Sequence, residues 1–264
     1  MPTPKHAFSL VELSIVLVIL GLLVGGVLSG QSLIRAAELR SISSEYARYT
    51  TAAQTFRDKY LAVPGDMTNG TAFWGRLINN PAACITNSGA AINTTTGVCD
   101  GDGDGRLWEF PGGGGSNTER WFFWRSLANA GLIEGTYTGQ PVAGGTYHSQ
   151  GAVNVPRARM SNAIWYANSR AASTGSTVEF VMEYGNFLQI GAYQANMSPN
   201  TSLLKTEEAW NIDTKLDDGM PGRGTVIAAD RSLCANATSD VDYAATYILD
   251  QSDIRCRLMF RNAF

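Results

Sequence analysis

Residues 8–28 read FSLVELSIVLVILGLLVGGVL, with Ser9, Glu12 and Ser14 as the only polar positions. Twenty-one such residues in a helix cover about 31 Å, enough for the hydrocarbon core of a bilayer. No second run of this kind follows, so the pattern predicts one membrane span, residues 8–30, ahead of a large C-terminal domain. Beyond it, residues 31–62 lack glycine and, up to Val63, proline. Ile42, Tyr46, Tyr49, Ala53, Phe56 and Tyr60 recur at steps of three and four, one face of an amphipathic helix. Val63-Pro64-Gly65-Asp66 ends it. The two patterns join into one helix from Phe8 to Tyr60, about 80 Å long, whose aromatic stripe serves as core for the domain that follows.

From residue 63 to 264 the pattern breaks into short pieces. Asn117 or Thr118 is placed to cap a short helix through Trp121, Trp124 and Leu127, closed by Gly131. Thr177–Glu183 and Phe187–Tyr193 alternate around Tyr184-Gly185-Asn186 and read as a hairpin. Lys205–Lys215 reads as a second short helix, and Thr225–Ala229 and Arg255–Phe260 as strands. A long helix on an antiparallel sheet is an α+β fold.

Composition narrows the function. Charged residues are 16% of the chain and the net charge is −3, which gives no electrostatic reason to expect nucleic acid. Two histidines leave little room for His-based catalysis or a multi-His zinc site. No GxSxG or HExxH occurs, and His148 lies in a loop-like run without an evident nucleophile. The glycines 112–115 lack the Lys-Ser/Thr of a phosphate loop. The chain is not read as an enzyme.

The start of the apolar run carries the most specific signal. A secretory signal peptide has a shorter core and a small-residue cut after it; here the core is long and Glu12 sits near its beginning. A carboxylate inside a membrane costs roughly 2.5 kcal/mol or more at the centre, so it calls for a partner. Lys5-His6-Ala7-Phe8-Ser9-Leu10-Val11-Glu12-Leu13 resembles the cleavage and methylation signal of type IV pilins and type II secretion pseudopilins. The resemblance implies a leader, residues 1–7, cut between Ala7 and Phe8 by a prepilin peptidase, and N-methylation of Phe8. It makes Glu12 the assembly residue that neutralises the Phe8 amine of a neighbouring subunit, two charges each costly alone in an apolar bundle. Ala7 replaces the usual glycine before the cut, Gly21 matches a recurrent family glycine, and the family's frequent helix-breaking proline is absent.

Four cysteines, Cys84, Cys99, Cys234 and Cys256, lie beyond the span, and an even count in an exported region reads as disulfides. Of three possible pairings, Cys84–Cys99 and Cys234–Cys256 close local loops and are favoured. Asp100-Gly101-Asp102-Gly103-Asp104-Gly105 looks like the first half of an EF-hand loop. It predicts a structural calcium ion held by Asp100, Asp102 and Asp104, with the Arg106 carbonyl and Glu109 or Glu119 as further oxygens. Calcium also occurs as a structural ligand in some pseudopilins. Position twelve of the loop is Pro111, which departs from the EF-hand pattern. A second acidic stretch, Asp213 to Gly219, reads as a hairpin or loop ahead of the strand at Thr225, with a second cation site as the alternative.

The chain is thus expected to be a pilin-like structural subunit of a bacterial inner membrane, single-pass, with a periplasmic or extracellular domain. Its implied partners are prepilin peptidase, other pilin-like subunits and an inner-membrane assembly platform. The filament is a type II secretion pseudopilus or a type IV pilus, and at 28.4 kDa a minor subunit is expected. The alternative is a membrane-anchored adhesin or binding module using an aromatic or calcium-stabilised surface, with Trp74, Trp108, Trp121 or Trp124 as candidate contacts.

Overall fold

A single helix, α1, runs from Leu10 to Tyr60 without a break. In this computed structural model residues 10–80, 84, 91–107, 119–141, 148–172, 178–195 and 197–264 are described. Ala7, Phe8, Trp108, Glu109, the glycine run 112–115, and the capping positions Asn117 and Thr118 lie outside them.

The chain divides into two units, one ending at Arg40 and the other comprising Ser41–Phe264. In the first, the large apolar side chains of α1 from Leu10 to Leu28 are exposed, and the helix is long and apolar enough to cross a membrane. Its hydroxyls are turned inward: Ser14 Oγ donates to the Val11 carbonyl at 2.9 Å and Ser32 Oγ to the Ser29 carbonyl at 2.8 Å. Back-bonding of this kind satisfies a hydroxyl where no water is present.

In the second unit the same helix turns one face inward. Ile42, Tyr49, Ala53 and Phe56 are buried, whereas Tyr46 and Tyr60, at the edges of the stripe, are half-buried. Glu45 is buried on that face too. The helix stops where Leu61 takes a left-handed conformation, φ 55°, its N–H still reaching the Arg57 carbonyl at 2.8 Å. Pro64 and Gly65 then carry the chain away.

The helix segment lies on an antiparallel sheet of four strands in the order β1-β2-β6-β4. These are β1 (Ala163–Arg170), β2 (Gly185–Ala192), β4 (Val226–Ala228) and β6 (Leu258–Phe260). Register pairs Trp165 with Ile190, Leu188 with Phe260 and Phe260 with Val226, so these residues share the face toward α1. There Tyr46 stacks on Phe260 (centroids 4.4 Å), and Tyr49 meets the edges of Trp165 (5.6 Å) and Trp124 (5.0 Å). The opposite face carries Phe187, Ile227 and Met259, covered by Phe180, Met182, Tyr184, Ala235 and Ala245. A two-residue strand β3 (Leu204–Lys205) pairs with β5 (Ile254–Cys256) in a separate ribbon. Among the described residues the short helices are α2 (Gly70–Trp74), α3 (Glu119–Asn129), α4 (Thr206–Leu216) and α5 (Arg231–Cys234). The architecture is α+β: a long N-terminal apolar helix and an antiparallel sheet.

Two strand expectations need correction. Phe187–Tyr193 does form a strand, but its hairpin partner is β1 rather than 177–183. The described part of that segment instead covers the sheet, with Val181 N–H on the Asp240 carbonyl (2.8 Å) and Glu179 paired with Arg170 (2.6 Å). Arg255–Phe260 is not one strand. At Arg257 the chain crosses from the ribbon to the main sheet, and the buried guanidinium is held by Asp230 (3.0 Å) and Glu179 (3.2 Å). The acidic stretch Asp213–Gly219 runs from the last turn of α4 into a loop that leads to β4.

The disulfides Cys84–Cys99 and Cys234–Cys256 are both formed. The first ties the segment ahead of the Asp-Gly loop, and the second joins α5 to β5.

Candidate functional site

The turn that ends α1 and the Asp-Gly loop meet at the start of α3. Gly65, φ 90°, makes this approach possible: a Cβ there would stand 2.4 Å from the Glu119 carbonyl oxygen and 2.7 Å from the Phe123 nitrogen. Gly101 plays the same part on the other side, where a Cβ would lie 2.5 Å from the Asp66 Cα. Its N–H donates to the Met67 carbonyl at 2.7 Å. These two glycines lay the loop along residues 66–68.

Carboxylates gather there. Oxygens of Asp66, Asp102 and Asp104 all lie within 4.8 Å of one another. Asp66 is buried and accepts the N–H groups of Gly103 (2.6 Å) and Gly105 (2.8 Å). Asp102 accepts the Asp104 N–H (3.0 Å), and Asp104 accepts the Arg106 N–H (2.8 Å). Glu119, also buried, accepts the Asp102 N–H at 3.3 Å. Asn186, at the start of β2, grips the end of the loop, donating to the Gly105 carbonyl (2.8 Å) and accepting from Leu107 N–H (3.2 Å).

The crowding shows in the proton affinities. Burial, then the charge of Asp66 and more weakly those of Asp102 and Asp104, pushes Glu119 up to about 9. Burial likewise raises Asp66, against its two backbone hydrogen bonds, and Asp102 and Asp104 add to it. Such a set of oxygens suits a hard cation, which takes six to eight of them. Asp66, Asp102, Asp104 and Glu119 are the residues that could hold one.

Asp100 is not among them. Its carboxylate turns to α2, accepting the Thr71 N–H (2.7 Å) and hydroxyl (2.7 Å). Thr71 offers Asp100 two donors, and residues two apart in an irregular, glycine-bearing loop need not face one point. Arg106 is exposed at the end of the loop. Asp66 is the residue missed in the sequence, because it is 36 positions upstream of Asp102 and looked like part of a helix stop.

The second acidic group differs in having a guanidinium within it, that of Arg223. Asp213, Asp217 and Asp218 also bring oxygens within 4.8 Å of one another, but donors meet each of them. Asp217 accepts from Thr225 N–H (2.5 Å) and Val226 N–H (3.1 Å), and Asp218 pairs with Arg223 at 2.7 Å. Buried Asp213 accepts from the Tyr247 hydroxyl (2.8 Å) and Gly219 N–H (3.2 Å). This arrangement builds a turn.

Of the four tryptophans weighed as contacts, Trp121 and Trp124 are fully buried and belong to the core, and Trp74 is half-buried. Glu12 lies in the first turn of α1.

Residues 3–28 match the prokaryotic N-terminal methylation motif. No curated protein and no solved structure matches the chain. The N-terminus is therefore a type IV pilin-like prepilin signal. It points to a structural subunit of the pilin or pseudopilin kind, and with the apolar α1 it fits membrane anchoring.

Proposed function

We propose that the protein is a minor subunit of a type II secretion pseudopilus or a type IV pilus. It enters the bacterial inner membrane through α1, is cut between Ala7 and Phe8 by prepilin peptidase, is N-methylated at Phe8, and is drawn into the filament by the assembly platform. The observation that carries the reading is the methylation motif at residues 3–28, running directly into an unbroken apolar helix. Glu12 then pairs with the Phe8 amine of a neighbour and sets the axial register. The test reads processing and assembly separately. Intact mass should show loss of residues 1–7 and one added methyl group. Glu12→Ala should stay membrane-inserted yet be depleted from sheared filaments. A mature chain beginning at Met1, or normal assembly of Glu12→Ala beside wild type, overturns the reading.

Within this function the cluster of Asp66, Asp102, Asp104 and Glu119 holds a structural calcium ion. The burial of Asp66 and Glu119 beside like charges, which raises both, supports it. Calcium binding only to the folded state stabilises by about 2.7 kcal/mol at a hundredfold excess over the dissociation constant, which is several degrees in melting temperature. Asp66→Asn and Asp102→Ala should abolish the rise seen between chelator and calcium. Asp100→Ala should lower both melting temperatures but keep the difference, because Asp100 serves Thr71. A wild-type protein indifferent to calcium rules the ion out.

A further inference from the structure

Asparagine followed by glycine occurs once in the chain, at Asn69-Gly70, and aspartate followed by glycine four times, at Asp100, Asp102, Asp104 and Asp218. In such a pair the glycine has no Cβ to shield its amide nitrogen from the carbonyl carbon of the preceding side chain. The nitrogen is restrained when its N–H is already donated. Gly101 donates to the Met67 carbonyl (2.7 Å), Gly103 and Gly105 to Asp66 (2.6 and 2.8 Å), and Gly219 to Asp213 (3.2 Å). Gly70 differs. It is the first residue of α2, where an N–H has no acceptor within the helix, and it donates no hydrogen bond among the described residues. Asn69 is exposed, and its side chain makes no capping hydrogen bond.

We propose that Asn69 is a site of intramolecular modification, at which the folded chain converts its own asparagine to aspartate or isoaspartate. The Gly70 nitrogen gives up its proton and attacks Cγ of Asn69. The new N–Cγ bond closes a cyclic imide, while the carboxamide C–N bond breaks and its nitrogen leaves as ammonia, carrying that proton. Water from the solvent then adds to one of the imide carbonyls. Breaking the new bond restores the original backbone with an aspartate side chain. Breaking the original peptide bond instead leaves isoaspartate, whose backbone runs through Cγ and is longer by a methylene. The aspartate–glycine pairs are poorer candidates on both counts: their glycine N–H groups are engaged, and an ionised carboxylate repels a nucleophile that a neutral carboxamide does not.

The position gives the modification a consequence. Residues 67–71 lie along the chain that enters the Asp-Gly loop: Met67 accepts the Gly101 N–H, Asp100 accepts the Thr71 N–H and hydroxyl, and a Cβ on Gly70 would stand 3.2 Å from Val98 Cγ2. Either product adds a negative charge beside Asp100. Isoaspartate also lengthens a backbone that is held on both sides of residue 69, which loosens the seat of the loop. This holds whether or not an ion is bound there.

The experiment incubates the processed full chain, folded in detergent, at mildly acidic and mildly alkaline pH. Peptide mapping by mass should find the ammonia-loss imide at residue 69 and then its hydrolysis products, faster at the higher pH because the attacking nitrogen must lose its proton. Asn168-Ser169 is the internal contrast: it lies in β1 opposite Phe187, Ser169 is buried, and it should stay intact. Gly70→Ala places a methyl group beside the attacking nitrogen, at a position where the contact with Val98 is to a side chain, and should slow the conversion by at least an order of magnitude. The isoaspartyl form, separated by anion exchange, should melt below the intact chain. If Asn69 stays intact in the folded protein and converts only once urea unfolds it, the fold protects the pair and the proposal is wrong. Conversion of Asn168 as fast as Asn69, or an unchanged rate in Gly70→Ala, overturns it as well. Equal melting of the isoaspartyl and intact forms overturns the link to the Asp-Gly loop.

Discussion

Glu45 enters the core as a charged side chain on the aromatic face of α1. Its two oxygens have separate tasks: Oε1 accepts the Arg159 N–H at 2.9 Å, and Oε2 accepts the Trp165 indole N–H at 2.8 Å. Trp165 is wholly buried against Tyr49 and Phe260, so this carboxylate fixes the helix against β1 at one point. The Arg159 guanidinium is 3.9 Å away and largely exposed, so it adds little. Glu45→Ala strands the buried Trp165 indole N–H and the part-buried Arg159 N–H, a stranded buried donor costing roughly 1–3 kcal/mol. It should destabilise the protein by about 3 kcal/mol in urea unfolding, and Glu45→Gln, which retains one acceptor, by less. An Ala variant as stable as wild type would mean water replaces both bonds. The aromatic stripe from Ile42 to Phe56 was readable because apolar spacing marks a buried face; Glu45 was not, because its partners lie over a hundred positions away. The same limit hid Asp66 from the Asp-Gly loop and misassigned Asp100, whose partner Thr71 is remote.

At the scale of elements, the helices were more legible than the strands. Periodicity and a closing glycine, Gly131 at φ 70°, mark α3, and the Glu208 carboxylate accepting the Lys205 N–H marks the start of α4. Pairing partners are a tertiary matter: β2 could join any strand, and it chose β1, whose run Ala163-Ile164-Trp165-Tyr166-Ala167 carried the signal of β-branched and aromatic residues. The switch at Arg257 depends on Asp230 and Glu179, distant residues that no local pattern links to it. Helix α4 also carries a carboxyl with a shifted proton affinity. Asp213, in its final turn, is pushed up to about 7, chiefly by burial, although Tyr247 and Gly219 donate to it. A carboxyl with a folded value above its unfolded value near 3.8 keeps its proton in the native state after the unfolded chain has lost it. Stability therefore falls as pH rises from about 4 to about 7 and levels off above. Asp213→Asn should flatten that part of the melting curve against pH, while Asp218→Asn, which removes one of the neighbouring charges that raise Asp213, should reduce the slope without abolishing it. An unchanged slope in Asp213→Asn would assign the pH dependence to other groups.

The whole molecule divides its labour along one helix. Residues up to Arg40 form one unit, and Ser41–Phe264 form another with its own core. In the first, exposed apolar side chains need a bilayer or a helical bundle around them. In the second, α1 supplies Ile42, Glu45, Tyr49, Ala53 and Phe56 to the interior, so the last turns of the helix are domain core and not a stalk. This distinction was visible in the sequence as the change from an all-apolar run to a striped one, although the apolar run ended the membrane segment earlier than the structural division. It predicts an asymmetric truncation series. A chain starting at Ser41 keeps every buried residue of α1 and should be soluble, monomeric and cooperatively folded, with both disulfides formed. A chain starting at Asp66 loses that helix and uncovers Trp124, Trp165 and Phe260, which contact it directly or pack around it. It should aggregate or lose its near-ultraviolet circular dichroism. If the shorter chain folds as well as the longer, the helix is an attachment to an independent sheet domain, and the shared-core arrangement that joins anchor to exterior in this subunit does not hold.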